Sequence, residues 1–298
     1  MTLASCDSRK TAGENPFFTE WDTPHGVPPF DKILPEHFMP AFERGMSLHE
    51  AEIDAITSNK DEATFENTIL AYDNAGQMLA QTELVFGMLC AAETNDRMQA
   101  LQEQAMPLLA AHRDKIRLDD KLFARVKEVY DRRAALGLDA EQMRLLQKTY
   151  DSFVRAGALL DAEQKARLKE INGQLSLTAV KFGNNILAEN NNFVLELKSD
   201  ELDGLPAGIR DAAREKARQM GKGDKWVFTL HKPSLIPLLT YSTRRDLREK
   251  IYKAYLNRCN NGDEYDNKQL INDFIRLRTE KAHLLGYPSY AAYVVADE

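Results

Sequence analysis

The feature that most constrains this chain is a long helical pattern from Asp161 to Asn190, near the middle of its 298 residues. Apolar residues recur there at steps of three, four and seven positions, which places them on one side of a helix. At about 1.5 Å per residue, such a helix would be roughly 45 Å long and could cross a whole domain. The pattern predicts a core helix whose apolar stripe is formed by Leu168, Ile171, Leu175, Phe182 and Ile186.

Residues typical of helix ends flank this pattern. Asp161 can accept a hydrogen bond from the backbone N–H of Gln164 while the Gln164 side chain reaches back, which is a capping box. The three asparagines 190–192 favour caps and turns at the other end. Gly173 and Gly183 lie inside the pattern and weaken it by about 1 kcal/mol each relative to alanine.

Other amphipathic segments surround the central one. Phe65–Cys90 has the pattern of a single helix, and Thr243 is placed to cap a helix over Arg244–Asn260. Short apolar runs at about 193–197 and 226–230 are typical of strands. The sequence therefore predicts a mainly α fold of many helices with a small two-strand β element. We expect residues 1–15 to form a flexible polar tail and residues 16–298 to form one helical lobe.

Charge and composition exclude several classes of function. The formal net charge is -7 and the sequence pI is about 5.5, so nothing in the overall charge favours nucleic-acid binding. No run of 18 apolar residues is present, so the sequence predicts no transmembrane segment. Cys6, Cys90 and Cys259 are far apart and form no C-x-x-C pair, which argues against a zinc knuckle or a disulfide framework.

Leu3-Ala4-Ser5-Cys6 is similar to the lipobox of bacterial lipoproteins, in which the cysteine becomes the lipidated first residue. A secretory signal needs a charged start and an apolar run of about 7–15 residues before the cleavage site. Only Met1 and Thr2 precede Leu3 here. We therefore keep two hypotheses: Cys6 is a lipid-attachment site within a truncated signal, which would place the parent protein in the periplasm or cell envelope, or the match arises by chance in the tail of a cytoplasmic protein.

The six histidines form no recognisable metal site. His49-Glu50 begins like the zinc motif H-E-x-x-H, but Ile53 stands where the second histidine must be. That motif works because positions i and i+4 share one helix face, so both imidazoles reach one ion. We interpret His49 as a helix-surface or core residue, and no other two histidines have ligand spacing. The six are His25, His37, His49, His112, His231 and His283.

Nucleophile and phosphate motifs are also missing from the sequence. It contains no G-x-S-x-G elbow, and Gly221-Lys222-Gly223 is not a phosphate-binding loop. The cationic residues between Arg244 and Lys253 alternate with Asp246 and Glu249, which favours an ion-paired, solvated helix face. From the residues alone we predict no catalytic, cofactor-binding or metal-binding site in this chain.

Several segments in order nevertheless resemble the bacterial peptidyl-dipeptidases of the thimet oligopeptidase family of zinc metallopeptidases. The resemblance covers nearly the whole chain from about Asn15. It runs through NPFFTEWDTPHGVPPFDKI, HFMPAFERGMSLHEAEIDAI, FENTILAYDNAG, PLLAAHRDKIRLDDKLFARV, RLLQKTYDSFVRAGALL, FGNNILAENN, WVFTLHKPSLIPLLTYSTRRDLREKIYKAY and LRTEKAHLLGYPSYAAYV.

The resemblance implies a mostly helical, elongated fold with a deep channel between two lobes, in which short peptides are cut. In that family zinc is held by the two histidines of H-E-x-x-H and a downstream glutamate, and the motif's own glutamate is the general base. No position of this sequence matches those residues. The chain therefore resembles the N-terminal half of such an enzyme: one channel wall, without the C-terminal catalytic lobe and without zinc of its own. The alternative is a stand-alone, non-catalytic peptide-binding or scaffolding module.

Overall fold

The structure is a computed structural model that describes residues 14–296. Most of the predicted tail, including Cys6, lies outside the described residues. The fold is mainly α with one two-strand antiparallel sheet, as the sequence predicts. The elements are α1 Phe38–Ser58, a π-helical segment Phe65–Leu70, α2 Ala71–Asp73, α3 Gln77–Ala92, α4 Asp96–Arg117, α5 Asp120–Asp131, α6 Ala140–Ala156, α7 Ala162–Asn192, β1 Leu195–Leu197, α8 Ala207–Gln219, β2 Trp226–Phe228, α9 Lys232–Tyr241, α10 Arg245–Leu256, α11 Lys268–Leu284 and α12 Tyr290–Val295.

The chain divides into two compact units. Unit 1 comprises Met1–Leu177 and Thr279–Glu298, and unit 2 comprises Thr178–Arg278. Helices α7 and α11 each contribute residues to both units.

Aromatic side chains fill the two apolar clusters of unit 1. In one, the rings of Phe38 and Phe42 lie 4.9 and 5.3 Å from that of Phe86, and the ring of Phe17, which precedes α1, lies 5.4 Å from that of Phe38. This contact holds residues preceding α1 against the helices, because Phe17 is buried. The other cluster lies among the π-helical segment, α5 and α6 and contains the fully buried residues Ile69, Leu122, Val126, Leu146 and Phe153.

Unit 2 has its own core around the strand pair. Leu195 pairs with Phe228 and Leu197 with Trp226 in antiparallel register. The sheet packs on α8 and α9, and α10 packs on α9, around the buried residues Leu195, Leu197, Phe228, Leu238 and Ile251.

Both strands are shorter than the predicted runs. The backbone N–H of Phe193 donates to the carbonyl of Glu189, which continues the pattern of α7 beyond its predicted end at Asn190. The backbone N–H of Thr229 donates to the Ser234 hydroxyl at 3.0 Å and therefore bonds a side chain rather than the neighbouring strand.

The central helix forms where the sequence predicts it. The Asp161 carboxylate accepts from the Gln164 backbone at 2.8 Å, and the Gln164 side chain accepts from the Asp161 backbone at 3.2 Å, which confirms the capping box. Leu168 and Ile171 are buried, whereas Leu175, Phe182 and Ile186 are half-buried. The apolar stripe is therefore most deeply buried in the first half of α7.

Two local predictions are wrong. Phe65–Cys90 is not one helix, because Gly76 adopts a left-handed conformation at φ 75° and α3 begins at the next residue. Thr243 does not cap α10, because its hydroxyl bonds the Asp203 carboxylate and its backbone N–H bonds the Asp203 carbonyl. The N-cap position belongs to Arg244, whose side chain makes no cap hydrogen bond.

We predict that Gly204→Ala destabilises unit 2 by about 1–3 kcal/mol or more, measured as a shift in urea-unfolding free energy. Gly204 has φ 81°, and an added Cβ would overlap the Tyr241 carbonyl oxygen. Gly208→Ala is the matched control, because its Cβ would meet nothing within 4 Å. Equal stability of the two variants would contradict the requirement for glycine at position 204.

Candidate functional site

The structure brings two of the six histidines together. His49 Nδ1 on α1 lies 3.1 Å from His112 Nε2 on α4, although the two residues are 63 positions apart. A hydrogen bond at this distance requires one ring to donate and the other to accept, so only one of the two facing nitrogens carries a hydrogen. The hydrogen bond between the two rings therefore forms only when at least one of them is neutral.

Charged groups on the same two helices complete this cluster. His112 Nδ1 lies 3.4 Å from Glu50 Oε1, and Glu50 Oε2 lies 2.8 Å from Lys115 Nζ. The Glu52 carboxylate accepts from the backbone N–H of Gly76 at 2.7 Å. A Cβ at Gly76 would lie 2.8 Å from the His49 ring, so the absence of a side chain there makes room for the imidazole.

Burial lowers the pKa of both imidazoles. It is the largest cause for His49, and the charge of His112 lowers the pKa of His49 further, whereas Glu52 and Glu50 raise it. For His112 burial also dominates; Glu50 and Glu83 oppose it, and Lys115 adds to it. The cluster can therefore link α1 to α4 in a pH-dependent way, but its geometry does not resemble a nucleophile–base pair.

No group of three or more His, Cys, Asp or Glu residues in 14–296 is arranged to hold a metal ion. The remaining histidines lie in separate places. His37 Nδ1 accepts from the backbone N–H of Leu34 at 3.0 Å, and His283 Nε2 lies 3.4 Å from the Pro288 carbonyl. His25 and His231 are exposed.

Within residues 14–296, neither the two cysteines nor the basic helix face offers a reactive group. Burial raises the pKa of the Cys90 and Cys259 thiols to about 11, so both are protonated at neutral pH. Arg244, at the N-cap of α10, pairs with Asp246 at 2.8 Å, and Lys253 of α10 pairs with Glu249 at 2.6 Å. Arg244 and Lys253 are therefore ion-paired as predicted, whereas Arg248 donates to the Ser242 carbonyl.

The hydrogen bond between His49 and His112 could not be predicted from the sequence, because no short-range pattern connects positions 49 and 112. The only local signal was the density of charge beside each ring, with Glu50 and Glu52 on α1 and Lys115 on α4. Within the described part of the chain, no helix combines the length and apolarity needed to cross a bilayer.

Large apolar side chains are exposed to solvent on two helices of unit 2. Tyr252 and Leu256 on α10 are 51% and 59% exposed, and Ile271 and Ile275 on α11 are 45% and 62% exposed. Each pair is spaced i, i+4, so each marks one face of its helix. Exposed apolar faces of this kind are typical of surfaces that contact another protein segment.

Residues 238–298, which include both faces, match the sequence model of Peptidase family M3. Over 285 residues, or 95% of the chain, the sequence is 37% identical to the dipeptidyl carboxypeptidase of Escherichia coli strain K12, of which it spans 42%. It is 35% identical over 285 residues to the protein of the same name from Salmonella typhimurium, again spanning 42%. It is 27% identical over 274 residues, or 90% of the chain, to oligopeptidase A of E. coli K12, of which it spans 40%.

We predict that the free energy of unfolding falls as the pH is lowered below 6.5. The pKa values of His49 and His112 are lowered in the folded state, so the unfolded chain binds more protons than the folded chain at acidic pH. The slope is at most about 1.4 kcal/mol per pH unit for each histidine. Urea unfolding between pH 7.5 and 5.5 measures how the free energy of unfolding depends on pH. The variant His49→Gln should show a smaller dependence. The exposed His231→Gln is the control, and an unchanged slope in His49→Gln would contradict the assignment.

Proposed function

We propose that this chain is part of a longer member of peptidase family M3, a zinc metallopeptidase that hydrolyses short peptides and releases C-terminal dipeptides. The observation that carries the proposal is the 37% identity, over 95% of the chain, to a protein named dipeptidyl carboxypeptidase. Identity to oligopeptidase A is 27%, which favours dipeptide release over internal cleavage.

The residues that the structure describes do not fit a catalytic zinc ion. Such an ion takes three protein ligands, mostly histidine and carboxylate, around one open position. The described residues offer no cluster of three such donors, and Ile53 interrupts the one sequence that begins like the zinc motif. We therefore assign no step of the reaction to a residue of this chain and propose that the zinc ligands belong to the rest of the protein.

In this proposal the 298 residues form the N-terminal helical lobe and one wall of the channel that admits the peptide. A narrow channel would favour short, unstructured peptides, because a folded domain cannot enter it. The exposed faces of α10 and α11 support the idea that a further segment of protein covers this part of the chain, since both faces lie in the segment that matches the family.

We predict that the isolated 298-residue chain binds no stoichiometric zinc and cleaves no peptide, whereas the protein from the complete gene does both. Metal analysis and release of a C-terminal dipeptide from a short peptide measure this difference. Tight binding of zinc together with peptidase activity in the isolated chain would contradict the proposal. A complete gene product that binds peptides without cutting them would favour the non-catalytic module instead.

We also predict that the isolated chain binds a hydrophobic dye through the faces of α10 and α11. The double variant Leu256→Lys, Ile275→Lys should lower the dye fluorescence, because it places charge on both faces. Leu159→Lys is the control, since Leu159 is 63% exposed but lies outside the segment that matches the family. A monomeric chain that binds no dye would contradict a covered surface.

A further inference from the structure

A mostly apolar pocket lies within unit 2. It has a volume of about 280 Å³ and lies between α8, the end of β2 and the start of α9. Its apolar wall contains Ile209 and Ala212 of α8, Val227 and Phe228 of β2, and Pro233 of α9. Val227 and Phe228 are each 1% exposed, so the inner wall of the pocket is part of the packed interior of the unit.

Two hydroxyl groups lie where β2 leads into α9. The backbone N–H of Thr229 donates to Ser234 Oγ at 3.0 Å, and both residues line the pocket. Thr229 is only 6% exposed, yet its own hydroxyl makes no hydrogen bond with another described residue. A buried hydroxyl without a partner is unfavourable, so a ligand atom that accepts from it would be stabilised.

The start of α9 adds a positive electrostatic potential beside these hydroxyls. The helix has ten residues, and its N-cap residue His231 makes no side-chain cap hydrogen bond. The backbone N–H groups of Ser234 and Leu235 both donate to the His231 carbonyl at 2.9 Å. The helix therefore contributes mainly its dipole, which is equivalent to about half a positive charge at this end and favours an anion.

A lysine supplies a full positive charge at the same pocket. Lys216 of α8 lines it, is exposed and forms no ion pair with a described residue. Its neighbours Arg214 and Arg218 pair instead with Asp224 and Glu215. None of the described residues that line the pocket is acidic, so its charge is positive.

We propose that this pocket binds a small apolar group that carries a carboxylate. The apolar part packs against Ile209, Val227 and Phe228. The carboxylate accepts hydrogen bonds from the hydroxyls of Thr229 and Ser234 and is attracted by the start of α9 and by Lys216. The proposal does not depend on the proposed peptidase activity, because every group that it uses lies in unit 2.

The size and charge of the pocket limit the ligand further. A volume of about 280 Å³ is just below the roughly 300–1,000 Å³ of small-molecule sites, which favours a ligand of the size of one amino-acid residue. A small amine would find no carboxylate among the described lining residues. Two sources share the required chemistry: a free monocarboxylic acid, and the apolar C-terminal residue of a peptide.

The test is an NMR titration of the 298-residue chain, followed at the backbone amides of Val227, Thr229 and Ser234. The probes are 4-methylpentanoate, a free acid, and N-acetyl-leucine, which represents a peptide C-terminus. We expect saturable shifts of these amides. N-acetyl-leucinamide, which lacks the carboxylate, should bind about tenfold more weakly than N-acetyl-leucine. Acetate, which lacks the apolar group, should not saturate the site.

Three variants test the named contacts. Thr229→Val keeps the shape but removes the hydroxyl, and it should weaken binding about tenfold. Lys216→Gln should weaken it about threefold, since the lysine is exposed. Ala212→Leu should abolish binding, because its larger side chain occupies the pocket. Lys250→Gln is the matched control, because Lys250 is an exposed lysine of unit 2 that does not line the pocket. Circular dichroism checks that each variant is folded.

The two acids distinguish the sources of the ligand. Tighter binding of 4-methylpentanoate would assign the pocket to free carboxylic acids, and tighter binding of N-acetyl-leucine would assign it to peptide C-termini. Absence of saturable shifts with both acids would overturn the proposal. Equal affinity for N-acetyl-leucinamide and N-acetyl-leucine, or unchanged affinity in both Thr229→Val and Ala212→Leu, would also overturn it.

Discussion

The fold depends on α7 as a continuous helix, because it supplies side chains to both compact units. In unit 1 its Asn172 joins Asp114 and Lys281 through hydrogen bonds of 2.8 and 2.7 Å. In unit 2 its buried Asn185 donates to the buried Asn267 at 2.8 Å. Buried polar groups of this kind are costly to leave unpaired, so they fix which residues α7 contacts in each unit.

Polar clusters in unit 1 join helices that are distant in sequence. The cluster of His49, His112, Glu50 and Lys115 connects α1 to α4, and Arg155 connects α6 to Tyr293 of α12. Each of these clusters therefore links two helices of unit 1.

Local patterns predicted much of the fold, because capping and periodicity are short-range properties. The capping box of Asp161 and Gln164 and the positions of both strands were accessible from the sequence. The break at Gly76 was not, because its left-handed conformation makes room for the His49 ring, a contact across 27 positions. Contacts such as His49–His112 depend on how helices pack, and no local pattern encodes that packing.

We propose that this chain is one part of a longer zinc peptidase, since it spans 42% of the dipeptidyl carboxypeptidase to which it is 37% identical. Sequencing the coding DNA beyond Glu298 tests that claim most directly. We expect the open reading frame to continue beyond Glu298 and to encode H-E-x-x-H followed by a downstream glutamate. A natural stop codon directly after Glu298 would contradict it.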